Sequence, residues 1–471
     1  GALGLVVAHW VTKALLKLAS TGARAIPLDA SLDGRVLAFA FAITILAGLL
    51  FGLAPAMRVA SADLYDSFKT GGRVVGGAGS ASHRLPLGRA LVIAQIALSL
   101  VLVTSAGVFV RTFQNFLRID AGFEREALVT ARLDVLAAGY NYDQLPPLYD
   151  QLLSSVRAVP GVQSASLSLF GLVSGARRTS GFTVPGRMLP PGGNTAQENL
   201  VTPDYFKTAG IQLLSGRVFT DRDVKGAPKV AVLTQAAARK LFGSDSVVGL
   251  RFGYDTPPEL EVVGVVRDLR ANSLREPAPP LVFRALAQQP QEYITSVEAR
   301  ASGNPQNVIA GVRNALASVD RNLPVRDIVV VEDLIERGLT RERLVARLAG
   351  AFGILALLLA AIGLYGVISY SVARRTNEMG VRLALGATPA SVSWVVLRDS
   401  LGTIIAGIAV GLIIWFPLLG LTRSLIYGLS PHDPFTLGIG AFLLLTVGML
   451  AGVVPALRAA RIDPIEAIRA E

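Results

Sequence analysis

Hydrophobic residues fall into two regimes along the chain. Near both ends they form long unbroken runs; between residues 111 and 342 they come in short blocks separated by polar residues. A bilayer-crossing helix takes about 20 predominantly apolar residues. Six stretches approach or meet that length: Leu3–Leu18 (marred by His9, Lys13 and Lys17), Val36–Met57, Ala90–Val110, Ala349–Val372, Leu401–Leu421 and Phe435–Leu457. Ala349–Val372 has 24 residues without a charge, and Ala90–Val110 has Gln95 as its one strongly polar member. Charged residues inside spans mark substrate paths. Gln95, Ser99 and Thr104 are instead expected to bond across a helix interface.

The middle region reads as mixed α/β. Strand-like Ala127–Val135 leads to a helix around Pro147–Val159 and to strand-like Val162–Leu169; Tyr293–Ala299, Pro305–Val319 and Val325–Val331 repeat the pattern. Two β-α-β units of this size predict a ferredoxin-like layer. Gly181–Pro185, Lys229–Thr234 and Glu259–Val266 between them predict an inserted, strand-rich subdomain. Leu334, Leu339, Leu344 and Leu348 fall near one face of a helix running into the fourth span, and Phe109, Phe113 and Phe116 extend the third span outward. Together these predict a helical stalk. The fold class expected is an α-helical membrane protein of about six spans plus an α/β extracytoplasmic domain.

Composition agrees with the pattern. Of 471 residues 17% are charged and 52% hydrophobic, with 47 Gly besides; soluble domains carry about 25% charged residues. The net charge of +11 is unevenly placed. Residues 111–342 hold 26 Lys+Arg and 24 Asp+Glu, leaving +9 for the spans and short loops. Arg58, Lys69, Arg73, Arg84 and Arg89 follow the second span, Arg374, Arg375, Arg382 and Arg398 the fourth, and Arg458, Arg461 and Arg469 the last. Basic residues mark cytoplasmic loops, so these three segments share the cytoplasmic side and the large domain lies outside it. Basic residues that flank spans, without forming one stripe, argue against nucleic-acid binding.

Spans two and six match at a constant offset of 400 residues, through ten identities that include Asp33/Asp433, Gly48/Gly448, Gly52/Gly452, Pro55/Pro455 and Arg58/Arg458. Lipid-facing composition does not place Asp, Pro and Arg, so this is an internal repeat of the kind found in transporters. Each copy carries a GxxxG, Gly48/Gly52 and Gly448/Gly452, and Gly407/Gly411 is a third. Small residues four apart let helices approach closely. The repeated pairs are expected at helix contacts; for Gly407/Gly411, mere glycine abundance is an equal reading.

The chemistry on offer is sparse. There is no Cys, hence no thiolate or Cys-ligated metal, and the three His (His9, His83, His432) lie far apart. No metal site and no cofactor is expected. The middle domain offers Glu198, Asp204, Asp221 and Asp223 but no His, so a nucleophilic triad of the common kind fails. No G-x-x-x-x-G-K-[ST] occurs, so nothing cradles nucleotide phosphates in the P-loop manner.

Several segments together resemble the FtsX/MacB-like permeases of ABC transporters. Arg374-Arg375-Thr376-Asn377-Glu378-Met379-Gly380-Val381-Arg382-Leu383-Ala384-Leu385-Gly386-Ala387 resembles the family's characteristic cytoplasmic stretch. Pro455-Ala456-Leu457-Arg458-Ala459-Ala460 with Asp463-Pro464-Ile465-Glu466-Ala467-Ile468-Arg469 resembles its C-terminal signature. Val201-Thr202-Pro203-Asp204-Tyr205-Phe206, with Gly210 and Gly216-Arg217-Val218-Phe219, resembles the MacB-like periplasmic core. The repeat further resembles duplicated, acidobacterial-type permeases. On that likeness residues 1–57 are the last two spans of a first unit, 58–89 a cytoplasmic linker, 90–110 a span, 111–342 the periplasmic core with its stalk, and 343–471 a permease domain of three spans. The opening at Gly1 inside an apolar run is then that of an N-terminally truncated chain.

The resemblance implies a partner ABC ATPase in trans, a bacterial inner-membrane location, and pairing with a second permease unit or a second copy of the chain. It makes Glu378–Gly386 a coupling helix, with Arg374, Arg375, Glu378, Gly380, Arg382 and Gly386 in the motif and Met379, Val381, Leu383 and Leu385 as apolar anchors. It also implies that the permease transmits motion to the outer domain (mechanotransmission, for export or extraction) without opening a channel. The alternative of another class is a membrane-anchored sensory or scaffold protein with no ATPase; a membrane-tethered enzyme is a third reading.

Overall fold

The structure, a computed structural model, describes residues 87–187, 192–422 and 434–461, with Pro190 and scattered positions between 10 and 49. The first two expected spans, the linker after them, Gly52 and the segment Asp463–Arg469 fall wholly or mostly outside the described residues. The chain divides into two compact units, Gly1–Phe113 with Glu342–Glu471, and Gln114–Arg341.

In the first unit four described helices are long and apolar enough to cross a membrane. They are α1 (Leu87–Arg118), α7 (Thr340–Arg374), α9 (Pro389–Thr422) and α10 (Pro434–Ala459). At 1.5 Å per residue, the 35 residues of α7 reach about 52 Å, well beyond a hydrocarbon core of about 30 Å. Half of the apolar window of α1 is buried inside the protein, against 22–28% for the other three, so α1 is the interior helix.

Two kinds of contact seat it. Gln95 Nε2 donates to the Leu359 carbonyl at 2.6 Å and Ser99 Oγ to the Ala356 carbonyl at 3.1 Å, so two of the three polar side chains expected at a helix interface zip α1 to α7; the third, Thr104, is buried with its hydroxyl unpaired. Glycines provide the rest. A Cβ placed on Gly407 would lie 2.6 Å from Ile96 Cβ, and one on Gly411 3.0 Å from the Ala97 carbonyl oxygen, which brings α9 backbone-close to α1. On α10 a Cβ at Gly448 would lie 2.7 Å from Ile404 Cδ1, and one at Gly452 3.2 Å from Ile368 Cδ1. Gly48, in its helical stretch, has nothing within 4 Å of its Cβ position.

The second unit is built on one eleven-stranded mixed sheet. Its first strands, β1 (Leu128–Leu133) and β2 (Val162–Ser168), flank α2 (Leu145–Arg157); its last, β10 (Ser296–Ala301) and β11 (Val325–Val330), flank α5 (Gln306–Val319). These four lie side by side, antiparallel, in the order β11-β1-β10-β2. The stretch between β2 and β10 contributes β3 (Arg178–Gly181), β4 (Thr195–Val201), α3 (Tyr205–Ala209), β5 (Leu213–Gly216), β6 (Val230–Thr234), α4 (Gln235–Phe242), β7 (Arg251–Phe252), β8 (Leu260–Val266) and β9 (Leu281–Ala285). The helix α6 (Val331–Gly338) follows β11. The middle strands do not form a detached sheet: β2 joins β4 through the pair Ser168↔Val201, and the order continues β4-β9-β6-β8-β5. Separateness shows instead in the cores. One gathers Val129, Leu152, Leu167, Val297, Val312 and Val330 under α2 and α5; another gathers Phe182, Ala231, Leu241, Phe252 and Val262 under α4.

Side chains alternate across a strand, and in the first core this sends unlike residues to the two faces. Val129, Ala131, Ala165, Leu167, Val297 and Ala299 enter the core; the opposite face carries Thr130, Ser164, Ser166, Ser168, Ser296, Glu298 and Arg300. That polar face is covered too. Thr208 on α3 donates to Ser164 Oγ at 3.1 Å, and Arg300 Nε reaches the Thr208 carbonyl at 2.7 Å. Glu298 stands opposite Thr130 on one neighbour and Ser166 on the other, wholly buried, and accepts 2.8 Å from Ser168 Oγ. Burial pushes its carboxyl up to about 7, with hydroxyl hydrogen bonds acting the other way.

Two expectations follow. Between the ordinary carboxylate value and pH 7 the unfolded chain releases the Glu298 proton while the folded one keeps it, so stability falls as pH rises through that window and is lowest above it. No histidine of the sequence lies in this unit to mask the effect. Glu298→Gln should therefore abolish a loss on the order of 3 kcal/mol between pH 5 and pH 8, read as the urea midpoint at each pH; equal slopes in both proteins would refute the assignment. In the bundle, Gly407→Ala and Gly411→Ala should cost about 1–3 kcal/mol, because they meet a branched Cβ and a carbonyl. Gly448→Ala and Gly452→Ala meet the movable ends of isoleucines and should cost less; thermal midpoints in detergent rank the four.

Candidate functional site

The motif Arg374–Ala387 folds into two helices meeting almost end to end. Arg374 closes α7, Thr376 opens α8 (Thr376–Ala384), and Arg375 between them is the one non-helical residue, at φ −108° and ψ 19°. Thr376 Oγ1 donates to the Ala373 carbonyl at 2.9 Å, tying the first residue of α8 back to the last turn of α7. After α8 the chain turns at Gly386, whose φ of +90° suits a residue without Cβ, and Ala387 N–H reaches the Arg382 carbonyl at 3.0 Å.

The nine residues of α8 divide by face. Met379 and Gly380 are buried. Met379 packs with Val372, Val392, Val396, Ala456 and Ala459, and Leu383 and Ala387 lean on the same cluster. Helical spacing puts the charged residues on the other side: Glu378 and Arg382 pair at 2.5 Å one turn apart, both about half exposed. Beside them Val381 is 46% and Leu385 82% exposed. Of the apolar residues expected to anchor a partner, Met379 is thus turned into the chain's own bundle, while Val381 and Leu385 are outward. Arg374 is exposed as well. Arg375 points elsewhere: its Nη1 lies 3.2 Å from Asp399 Oδ2, the oxygen that also accepts from Arg89 Nη2 at 2.9 Å.

Arg89 and Asp399 were not among the residues singled out by sequence. Arg89 belongs to a basic loop and Asp399 stands next to Arg398 at the edge of an apolar run. An acidic residue in an otherwise basic cytoplasmic set was the available signal, but its partners are 310 and 24 residues away.

The last turns of α10 also close on their own chain. Arg458 Nη1 donates to the Tyr365 hydroxyl at 3.1 Å, and Ser393 Oγ to the Ala456 carbonyl at 3.3 Å, so this part of the signature binds α10 to α7 and α9.

In the second unit each carboxylate considered for catalysis, where its contacts are described, is held by an arginine. Asp204 pairs with Arg157 at 2.7 Å. Asp223 takes both arms of Arg217, at 2.8 and 3.0 Å, plus the Thr220 N–H. Burial raises its pKa, but the Arg217 and Thr220 bonds outweigh that and leave it below the ordinary carboxylate value. Glu198, nearly fully buried, accepts from Arg284 at 2.7 Å, Tyr254 at 2.7 Å and Ser180 at 2.8 Å. Its desolvation is likewise outweighed, by the Arg284 and Tyr254 hydrogen bonds and the Arg284 and Arg178 charges, and its pKa is lowered. Asp221 is exposed. Among the described residues no three His, Asp or Glu gather as a metal site.

The segments resembling a periplasmic core are packing devices. Tyr205 and Phe206 stack on Phe283, and Phe219 on Phe206, with ring centres 5.0–5.8 Å apart. Gly210, at φ +65°, ends α3 where a Cβ would strike Glu124.

Known proteins divide along the same line. The description "MacB-like periplasmic core domain" matches residues 90–315, and "FtsX-like permease C-terminal" matches residues 350–464. The pyoverdine export ATP-binding/permease protein PvdT of Pseudomonas syringae is 27% identical over 271 residues, 55% of this chain and 40% of that protein. The ABC transporter permease YknZ of Bacillus subtilis is 27% identical over 282 residues, 59% of this chain and 70% of that one. The macrolide export ATP-binding/permease protein MacB 2 of Aeromonas hydrophila is 25% identical over 57% of this chain and 42% of its own. The chain thus spans under half the length of the PvdT and MacB relatives. The solved periplasmic region of MacB from Actinobacillus actinomycetemcomitans aligns over 48% of this chain and 98% of its own at 15% identity and TM-score 0.34. With the MacB-like periplasmic core description on residues 90–315 and the FtsX-like permease description on residues 350–464, the chain is FtsX/MacB-like over both of its units.

Proposed function

We propose that this permease takes up movement from an ABC ATPase in trans, received at α8, and passes it along its long helices to the α/β unit, where it drives export or extraction of a substrate. The observation that carries the reading is the two-sided character of α8. Met379 and Gly380 root it in the bundle, while Val381, Leu385 and the Glu378–Arg382 pair are left outward. An exposed leucine beside a charged pair is a small apolar anchor with a polar rim, the anatomy of a protein contact. These 471 residues contain no P-loop; in this reading the energy comes from the ATPase docked at α8.

Transmission of motion fits the interior of the bundle better than a channel does. Gln95 and Ser99 of α1 are spent on the α7 backbone. α1 runs unbroken to Arg118 and α7 begins at Thr340, so both are long enough to act as levers beyond the bilayer, in the role of a stalk. The placement of basic residues puts α8 on the cytoplasmic side of the inner membrane and the α/β unit outside. In that unit the order β11-β1-β10-β2 with α2 and α5 on one face supports a ferredoxin-like layer. The relatives' names speak of export, of pyoverdine or macrolides. The apolar surfaces of α7, α9 and α10 serve lipid and a second permease unit, either the repeat partner or another copy.

The chain has no cysteine, so Leu385→Cys creates a unique handle. In membranes, a bifunctional thiol–amine reagent at that position should capture an ABC ATPase. Leu385→Asp should weaken the same association about tenfold or more, since burying a leucine is worth ~1.5–3 kcal/mol. Capture of no ATPase, with the protein intact in its membrane, would favour a scaffold or sensor instead.

A further inference from the structure

Between α7 and α8 there is a single residue, Arg375, and a one-residue break is a free joint unless something holds it. Met379 anchors α8 one turn further on, which fixes where the helix sits but leaves the junction itself to swing. Besides the Thr376 hydroxyl bond to the Ala373 carbonyl, the junction is held by charge. Asp399, on α9, presents one oxygen, Oδ2, to two guanidinium groups: Arg375 of the joint and Arg89 in the first turn of α1. Three helices that are far apart in sequence therefore meet on one atom.

Such a node has a property that apolar packing lacks. A carboxylate oxygen shared by two cations holds each less firmly than it would hold one, because the two donors repel each other and compete for the same lone pairs. If the joint turns and Arg375 withdraws, the whole of the Asp399 charge is left to Arg89, and α1 is drawn toward α9. If Arg375 approaches, Arg89 is loosened. The arrangement converts rotation of α8 into a change in how tightly α1 is tied at its cytoplasmic end. Side chains at all three positions are between a third and a half exposed, so the exchange needs no burial of an unpaired charge. The groove beneath the node is lined by Ile368, Val396 and Met379, which give it a non-polar floor on which the arginines can slide.

We propose that Asp399 is the positioning residue of the coupling step, the ion-pair joint through which a movement of α8 is passed to α1. The proposal rests on α8 being the docking helix, and its test separates the two. In the cysteine-free chain, spin labels at Leu91→Cys and Val381→Cys, both solvent- or lipid-exposed positions, report the α1–α8 distance in nanodiscs without any ATPase. The parent should give one narrow distance, Asp399→Asn a broadened distribution, and Asp399→Glu a narrow one again. A control pair at Ile413→Cys and Phe442→Cys, exposed positions away from the node, should be unchanged in all three. Should Asp399→Asn disturb that control, Arg375→Gln removes the same ion pair from the other side and replaces it. With the ATPase captured at Leu385→Cys, Asp399→Asn should retain capture yet lower permease-stimulated ATP hydrolysis about fivefold or more, the low end of allosteric coupling. A distribution that stays narrow in the Asn variant overturns the joint, as does a broadening that Asp399→Glu shares, which would mark mere packing. Failure of capture at Leu385 with the distance effect intact overturns the docking reading alone.

Discussion

Inside a bilayer, lipid tails are as apolar as leucine, so helices gain nothing by hiding hydrophobic surface from one another. What holds the first unit together is therefore close backbone approach. The whole bundle rests on α1 being able to lie against α9 at a separation that a Cβ at Gly407 or Gly411 would forbid. The side chains of Gln95 and Ser99 add direction to that contact, since each must find an acceptor away from lipid and each finds a carbonyl of α7. Given a tightly seated α1, the rest follows: α10 closes on α7 and α9 through Gly448 and Gly452, and the bottom of the bundle offers the apolar pocket that receives Met379.

The second unit solves the opposite problem, that of keeping a broad sheet covered in water. The half of the sheet bearing β1, β2, β10 and β11 has one apolar face under α2 and α5. Its other face is polar yet also covered, by α3 and the segments near it. A polar face under cover must be satisfied by hydrogen bonds: Ser168 donates to Glu298, Ser164 accepts from Thr208, and Arg300 reaches the Thr208 carbonyl. One carboxyl whose pKa burial pushes up to about 7 is the cost of that design. The Arg-paired carboxylates of the same unit, Glu198 and Asp223, show the other solution, in which the charge is kept and neutralised locally.

Much of this was legible along the chain. The apolar runs at 90–110, 349–372, 401–421 and 435–457 all fall within long helices, because 20 apolar residues in a row have few other ways to satisfy their backbone in lipid. Blocks such as Val162–Leu169 and Pro305–Val319 announce a strand and a helix by their own periodicity. The short α3 and α4 were not legible, since five and eight residues are too few to establish a helical period. The continuity of the sheet was hidden too: a single residue pair, Ser168↔Val201, decides that the middle strands extend it.

The candidate site shows where the division lies. Its place in the chain, its charge and its family motif are properties of neighbouring residues, so the segment Arg374–Ala387 could be recognised without coordinates. Which of its side chains remain outward could not. Met379 and Leu385 are equally apolar in sequence, but one is taken by Val396 and Ala459 and the other is left exposed, because only the packed bundle says which side of α8 is already occupied. The same holds for Arg375, whose partner Asp399 and co-partner Arg89 belong to other helices. Local sequence determines what each segment can form and on which side of a membrane it lies, since hydropathy and charge act over a few residues. Contacts between residues 24 and 310 positions apart are set by how helices pack, and the tertiary structure alone decides them.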